Sequence, residues 1–174
     1  MANVKKYLLT AVTLGAIAMA SGLLIGATNL ITKDRIAQNE KNKINNGIVE
    51  IFGNNASVKE QNKVDGDYEY VVERYAVQEN NVISGYAFRT TGSNMYGKIS
   101  LIIGFTSDQY IFKGLSIIAN EQTYASTLVE NYINPLNGGI QDVADVSCGA
   151  TYGAKLVRDM VNEAQEAAKT LAGV

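Results

Sequence analysis

The segment Asp145-Val-Ser-Cys-Gly-Ala-Thr151 ends on a hydroxyl where a long amphipathic pattern begins. A helix start carries backbone N–H groups without intrahelical acceptors and the positive end of the helix dipole. A phosphate held at Thr151 is therefore stabilised before any cationic side chain is added. Gly149 and Ala150 take side-chain bulk away from the hydroxyl, which lets backbone approach a bulky ligand and permits dihedrals that larger residues resist. These residues fit the attachment of a phosphate-bearing cofactor. The same Gly-Ala-Thr run also serves as a plain helix cap, and the local residues leave both readings open.

The helix that must carry Thr151 is legible from its spacing. Val157, Met160, Val161, Ala164, Ala168 and Leu171 recur every three or four residues, with Arg158, Asp159, Glu163 and Glu166 between them. Ahead of it, four runs rich in Val, Ile, Tyr and Phe predict strands at Tyr68–Val77, Val82–Thr90, Lys98–Thr106 and Tyr110–Ala119. Asn, Gly, Ser and Asp separate them, so they read as antiparallel hairpins. Ile99-Ser-Leu-Ile-Ile-Gly-Phe105 is apolar on both alternating sets, which predicts an interior strand covered on both faces. Thr123 to Asn134 reads as a short helix ended by Pro135, and Lys59 to Lys63 as a solvated charged face.

Near the start of the sequence, residues 7–32 hold no charged side chain and run through Leu8, Leu9, Val12, Leu14, Ile17, Leu23, Leu24 and Ile25 to Ile31. About 20 apolar residues suffice to cross a bilayer. Ala18-Met19-Ala20 offers a small-x-small cleavage site of the kind signal peptides use. The uncharged run continues well past it, which fits a retained anchor better. Lys5 and Lys6 favour a cytoplasmic N-terminus, and Lys33, Arg35, Lys41 and Lys43 on the other side weaken that bias. Gly22 and Gly26 allow close approach of a neighbouring membrane helix or face lipid. Ile36, Ile44, Ile48 and Ile51 share a face of a juxtamembrane helix that Gly53-Asn54-Asn55 stops. The expected organisation is a tail over 1–6, an anchor over 7–32, a juxtamembrane helix over 33–55 and one α+β domain over 56–174.

Composition excludes several kinds of chemistry. The 174 residues contain one cysteine and no histidine, so an internal disulfide and the usual ligand sets for zinc, haem or an iron–sulfur cluster are missing. The commonest general base is missing too, which argues against a hydrolase. A formal net charge of −2 argues against nucleic acid as a partner. There is no Walker loop, dinucleotide fingerprint or repeat of 20 to 50 residues. An electron carrier needs none of these.

Asp145, Gly149, Ala150 and Thr151 match Asp-x-x-x-Gly-Ala-Thr, and the segment resembles the flavinylation motif of the FMN-binding domain family. Cys148 stands where that family has Ser or Thr, and Tyr152-Gly153-Ala154 where it commonly has a further Thr-Ser pair. The order Gly85-Tyr-Ala-Phe88, Tyr96-Gly-Lys-Ile99 and Gly114-Leu-Ser-Ile-Ile118 is similar to the family's sheet, so the resemblance runs from the anchor to Val174. It implies an antiparallel sheet with packed helices behind one transmembrane helix, and FMN bound to Thr151 by a phosphoester. The resemblance also implies that a separate flavin transferase makes the bond with FAD as donor. Where the family has Glu-Thr-Pro-Gly near the flavin, this chain has Glu121-Gln122-Thr123-Tyr124. Thr123 matches, the Pro-Gly is missing, and either Glu121 or Gln122 stands for the acid. Tyr124 and Tyr152 are each candidates either to lie on the flavin ring or to pack as partly buried anchors.

Length, anchor and motif together most resemble the G subunits of Rnf-type ion-translocating ferredoxin:NAD oxidoreductases and their relatives, the C subunits of sodium-translocating NADH:quinone reductases. That implies an electron-transfer subunit that turns over nothing alone and works beside the membrane subunits of an Rnf-type complex. Its domain would lie on the outer face of the cell membrane. Two alternatives stand beside it. One is a membrane-tethered flavoprotein of another extracellular electron-transfer chain, and the other is a non-catalytic scaffold whose flavin motif has decayed.

Overall fold

The computed structural model describes residues 2–64, 67–140, 144 and 147–172. Two compact units divide the chain, Met1–Lys41 and Asn42–Val174. Helix α1, Ala2–Phe52, begins in the first unit and ends in the second. Its first part is long and apolar enough to cross a membrane. Leu8, Leu9, Val12, Leu14, Ile17, Leu23, Leu24 and Ile31 are all exposed along it, as a lipid-facing surface requires. The threonines in this run do not leave hydroxyls unpaired. Those of Thr10, Thr13, Thr28 and Thr32 donate to carbonyls one turn earlier at 2.8–2.9 Å.

In the second unit, the last turns of α1 bury Ile44, Ile48 and Phe52. The helix stops at Gly53, whose φ of +109° suits glycine and whose N–H donates to the Val49 carbonyl at 2.8 Å. Five strands follow: β1 (Ala56–Lys63), β2 (Val71–Glu79), β3 (Val82–Asn94), β4 (Gly97–Thr106) and β5 (Phe112–Asn120). They form one sheet in the order β1-β2-β3-β4-β5, every neighbour antiparallel. The β2–β3 turn is Asn80-Asn81, with φ of 51° and 66°, the left-handed pair that a tight two-residue hairpin demands.

β1 is a strand that the sequence reading missed where it takes Lys59 to Lys63 as a solvated charged face. These residues pair with β2 as an edge strand that is polar along most of its length, so neither hydrophobicity nor alternation reveals it. The charges do stay in solvent, and a break in register between Val58 and Glu60 bends the edge.

The two faces of the sheet bury different side chains, as strand alternation requires. Phe88, Ile99, Leu101, Ile103 and Phe105 face α4 (Thr151–Ala172) and the helical segment after β5. Ala87, Ile102, Tyr75 and Val77 face the end of α1. β4, between β3 and β5, is buried from Ile99 to Phe105, in agreement with its two apolar faces. A Cβ on Gly104 would stand 2.6 Å from Ile51 and 2.9 Å from the Phe52 ring, so glycine lets α1 rest directly on β4. Ser116 donates to Glu50 at 2.6 Å and Lys43 to the Ile118 carbonyl at 3.3 Å, which fixes this end of α1 on β5.

The segment after β5 is a second correction. It has three helical pieces, α2 (Ala125–Leu128), a π turn (Val129–Ile133) and α3 (Asn134–Asn137). Pro135 stands inside the first turn of α3 rather than ending a helix. α4 buries Val157, Met160, Ala164 and Ala168 along the expected face, each large side chain being worth about 1.5–3 kcal/mol. The Leu171 side chain lies outside the described residues.

Candidate functional site

α4 begins at Thr151. The Ala150 carbonyl accepts the N–H of Ala154 at 2.9 Å, so Ala150, which has no side-chain oxygen, holds the cap position and Thr151 is the first helical residue. Thr151 thereby lies in the first turn of the helix, where backbone N–H groups and the helix dipole favour an anion.

The loop before it is shaped by Gly149. Its φ is +77°, and a Cβ there would lie 3.2 Å from the Thr127 methyl. Cys148 is buried beneath the loop, and its Sγ accepts the Ala150 N–H at 3.3 Å. Its carbonyl accepts from the Asn131 amide at 3.0 Å. Asp145 lies outside the described residues.

A cavity of about 250 Å³ opens beside Thr151. Gln122, Tyr124, Gly149, Ala150, Thr151 and Tyr152, all candidates from the sequence, line it. Tyr96, Leu128 and Gly153 complete the wall. Gln122 is buried, and its Nε2 donates to the Gly97 carbonyl, which turns Oε1 the other way. A Cβ on Gly153 would stand 3.4 Å from that oxygen and 3.0 Å from Leu128, so glycine eases the close approach of the first turn of α4.

Glu121, Cys148 and Thr123 stand apart from this lining. Glu121 is exposed, and its carbonyl lies against Gly97. Thr123 instead holds Tyr96. Its N–H and its hydroxyl both reach the Tyr96 carbonyl, at 2.8 Å and 3.1 Å. Between Glu121 and Gln122, the structure puts Gln122 in the cavity wall.

Tyr96 is the residue that sequence reasoning missed. It sits in the β3–β4 turn, where Asn94 Oδ1 accepts its N–H at 2.8 Å. Asn94 Nδ2 donates to the Tyr152 carbonyl at 3.0 Å, tying the hairpin tip to the first turn of α4. The Tyr96 ring lies 5.8 Å from that of Tyr124 and 5.5 Å from that of Tyr152, both tilted. Tyr124 and Tyr152 are half exposed, at 51% and 57%. Half-exposed aromatic rings around a cavity give an apolar face that a planar ligand can share with solvent. Only the folded chain brings the three tyrosines together.

Arranged this way, the residues offer an aromatic wall, one buried amide oxygen turned away from its anchor, and a hydroxyl at a helix start. Among the described residues no cluster of His, Cys, Asp and Glu could hold a metal ion.

Residues 1–51 match the family described as the RnfG N-terminal region. The match covers nearly all of α1 and stops before the sheet. Over that region the chain resembles the RnfG subunit, and this resemblance together with a helix long and apolar enough to span a bilayer suggests a membrane anchor. No curated protein matches the chain.

Proposed function

We propose that this chain is an electron-transfer subunit of an Rnf-type membrane complex and that it carries FMN on Thr151. The observation that carries the reading is the placement of the Thr151 hydroxyl at the first turn of α4, beside a cavity walled by Tyr96, Tyr124 and Tyr152. Sites that enclose a small molecule measure about 300–1,000 Å³. The cavity here is smaller, about 250 Å³, so the residues fit a cofactor held partly at the surface, which a covalent tether keeps in place.

Attachment is a phosphoryl transfer. The Thr151 oxygen bonds to the flavin-side phosphorus of FAD, the pyrophosphate bond breaks, AMP leaves with the bridging oxygen, and the hydroxyl proton is released. The helix start stabilises the remaining negative charge of the phosphodiester. When bound, the flavin supplies the redox chemistry. The tyrosine wall would cover one side of the ring, and Gln122 Oε1 would be available to it as an acceptor. The RnfG match of the anchor supports a place among membrane subunits that couple electron flow to ion movement. On this reading the sheet domain lies on the outer face of the membrane.

The test is the intact mass of the full chain, co-produced with a flavin transferase, beside Thr151→Ala. The expected result is a gain of FMN less water on the wild type alone. The substituted chain should keep its fold, because Ala150 rather than Thr151 holds the cap position, and even a capping hydroxyl is worth only about 1 kcal/mol. No adduct on the wild type, with the transferase active on another acceptor, rejects the covalent reading. An adduct without co-purifying membrane subunits would favour a tethered flavoprotein of another electron-transfer chain.

A further inference from the structure

The loop that presents Thr151 rests on the helical segment after β5, and the contacts converge on one turn. Thr127 sits under Gly149 and Leu128 under Gly153. Asn131, in the π turn Val129–Ile133, donates its Nδ2 to the Cys148 carbonyl at 3.0 Å. A π turn is rare in helices and is found frequently at functional sites. Here it carries the amide that is bonded to the loop.

The Cys148 carbonyl is a consequential atom to hold. Its direction is set by the peptide plane between Cys148 and Gly149. Fixing that plane restricts the left-handed Gly149, and through Ala150 it restricts the first residue of α4. A second polar tie within the loop, from the Ala150 N–H to the Cys148 sulfur at 3.3 Å, uses a weak acceptor. The Asn131 amide is the stronger of the two.

We infer that Asn131 is a positioning residue that holds the Cys148–Ala150 loop in the conformation in which the Thr151 hydroxyl can be flavinylated. This rests on the reading that Thr151 carries FMN. Asn131 touches neither Thr151 nor the cavity. It acts by raising the fraction of molecules whose loop is already in the competent form, and a reaction that needs that form slows in proportion as the fraction falls.

The experiment uses the full chain in detergent with purified flavin transferase and FAD. Initial rates of FMN transfer are measured by intact mass over a range of acceptor concentrations. The chains compared are wild type, Asn131→Ala, the isosteric Asn131→Asp, and Glu130→Ala as an exposed neighbour on the same turn. Exchange of the Ala150 amide and the melting temperature are followed in each.

Asn131→Ala should lower kcat/KM for the acceptor about fivefold to tenfold, the size of one lost hydrogen bond. Its Ala150 amide should exchange faster, the melting temperature should stay near that of the wild type, and Glu130→Ala should change nothing. If Asn131→Ala does not fold, Asn131→Asp keeps the volume without the N–H and should show the same pattern. Wild-type transfer rates and wild-type exchange in the Asn131 variants would overturn the positioning role and leave Thr151 as the attachment point. Loss of rate accompanied by loss of the melting transition in both variants would overturn it in favour of a purely structural role. An unmodified wild type, with the transferase active elsewhere, would reject the Thr151 reading and the positioning role with it.

Discussion

Gly149 is the residue on which the geometry of the candidate site most depends. Its left-handed backbone and the Thr127 methyl at 3.2 Å from a would-be Cβ act against any side chain. Gly149→Ala should destabilise the protein by about 1–2 kcal/mol, the cost of a left-handed conformation for an L residue. Denaturant titration of the wild type and the variant checks this. The types needed here were legible in the sequence: a hydroxyl ahead of an amphipathic helix, a glycine and an alanine before it, and a glutamine and a tyrosine in one tetrapeptide. What was hidden depended on contact. Tyr96 carries no local mark that separates it from the other tyrosines, and Asn131 is one polar residue on a short helical segment. Only the hairpin tip meeting α4, and the π turn meeting the loop, give them a role.

Among the elements, the two edges of the sheet are managed differently. β1 is protected by charge and by its break in register. On β5, the side chain of Asn137 acts as a short piece of neighbouring strand. Its Oδ1 accepts the Leu115 N–H and its Nδ2 donates to the Leu115 carbonyl, both at 2.8 Å. Asn137→Ala removes both bonds and should cost about 1–3 kcal/mol. Faster exchange of the Leu115 amide than of the amides in β4, together with a lower denaturation midpoint, is the expected signature. Apolar strands and α4 were readable because their side chains alternate or recur with the period of the element. β1 was not readable, because an edge strand can be almost wholly polar. Nor was the interior place of Pro135, since a proline starts a helical turn as readily as it follows one.

Across the whole chain, the division falls inside α1 rather than after it. The turns of α1 in the second unit supply Ile44, Ile48 and Phe52 to the core against Ala87, Ile102 and Tyr75. A chain beginning at Asn42 should therefore fold and stay monomeric without detergent. One beginning at Ala56 should aggregate, because a whole sheet face loses its cover. Size-exclusion chromatography and circular dichroism of the two truncations decide this, and equal behaviour would show that the end of α1 adds little to the core. The tyrosine wall has a further, optical consequence. The sequence has ten tyrosines and no tryptophan, so near-ultraviolet emission comes chiefly from phenol rings, and three of them stand around one cavity. Whatever enters beside Thr151 alters light emitted from its own walls, and the protein carries an intrinsic, label-free gauge of that cavity.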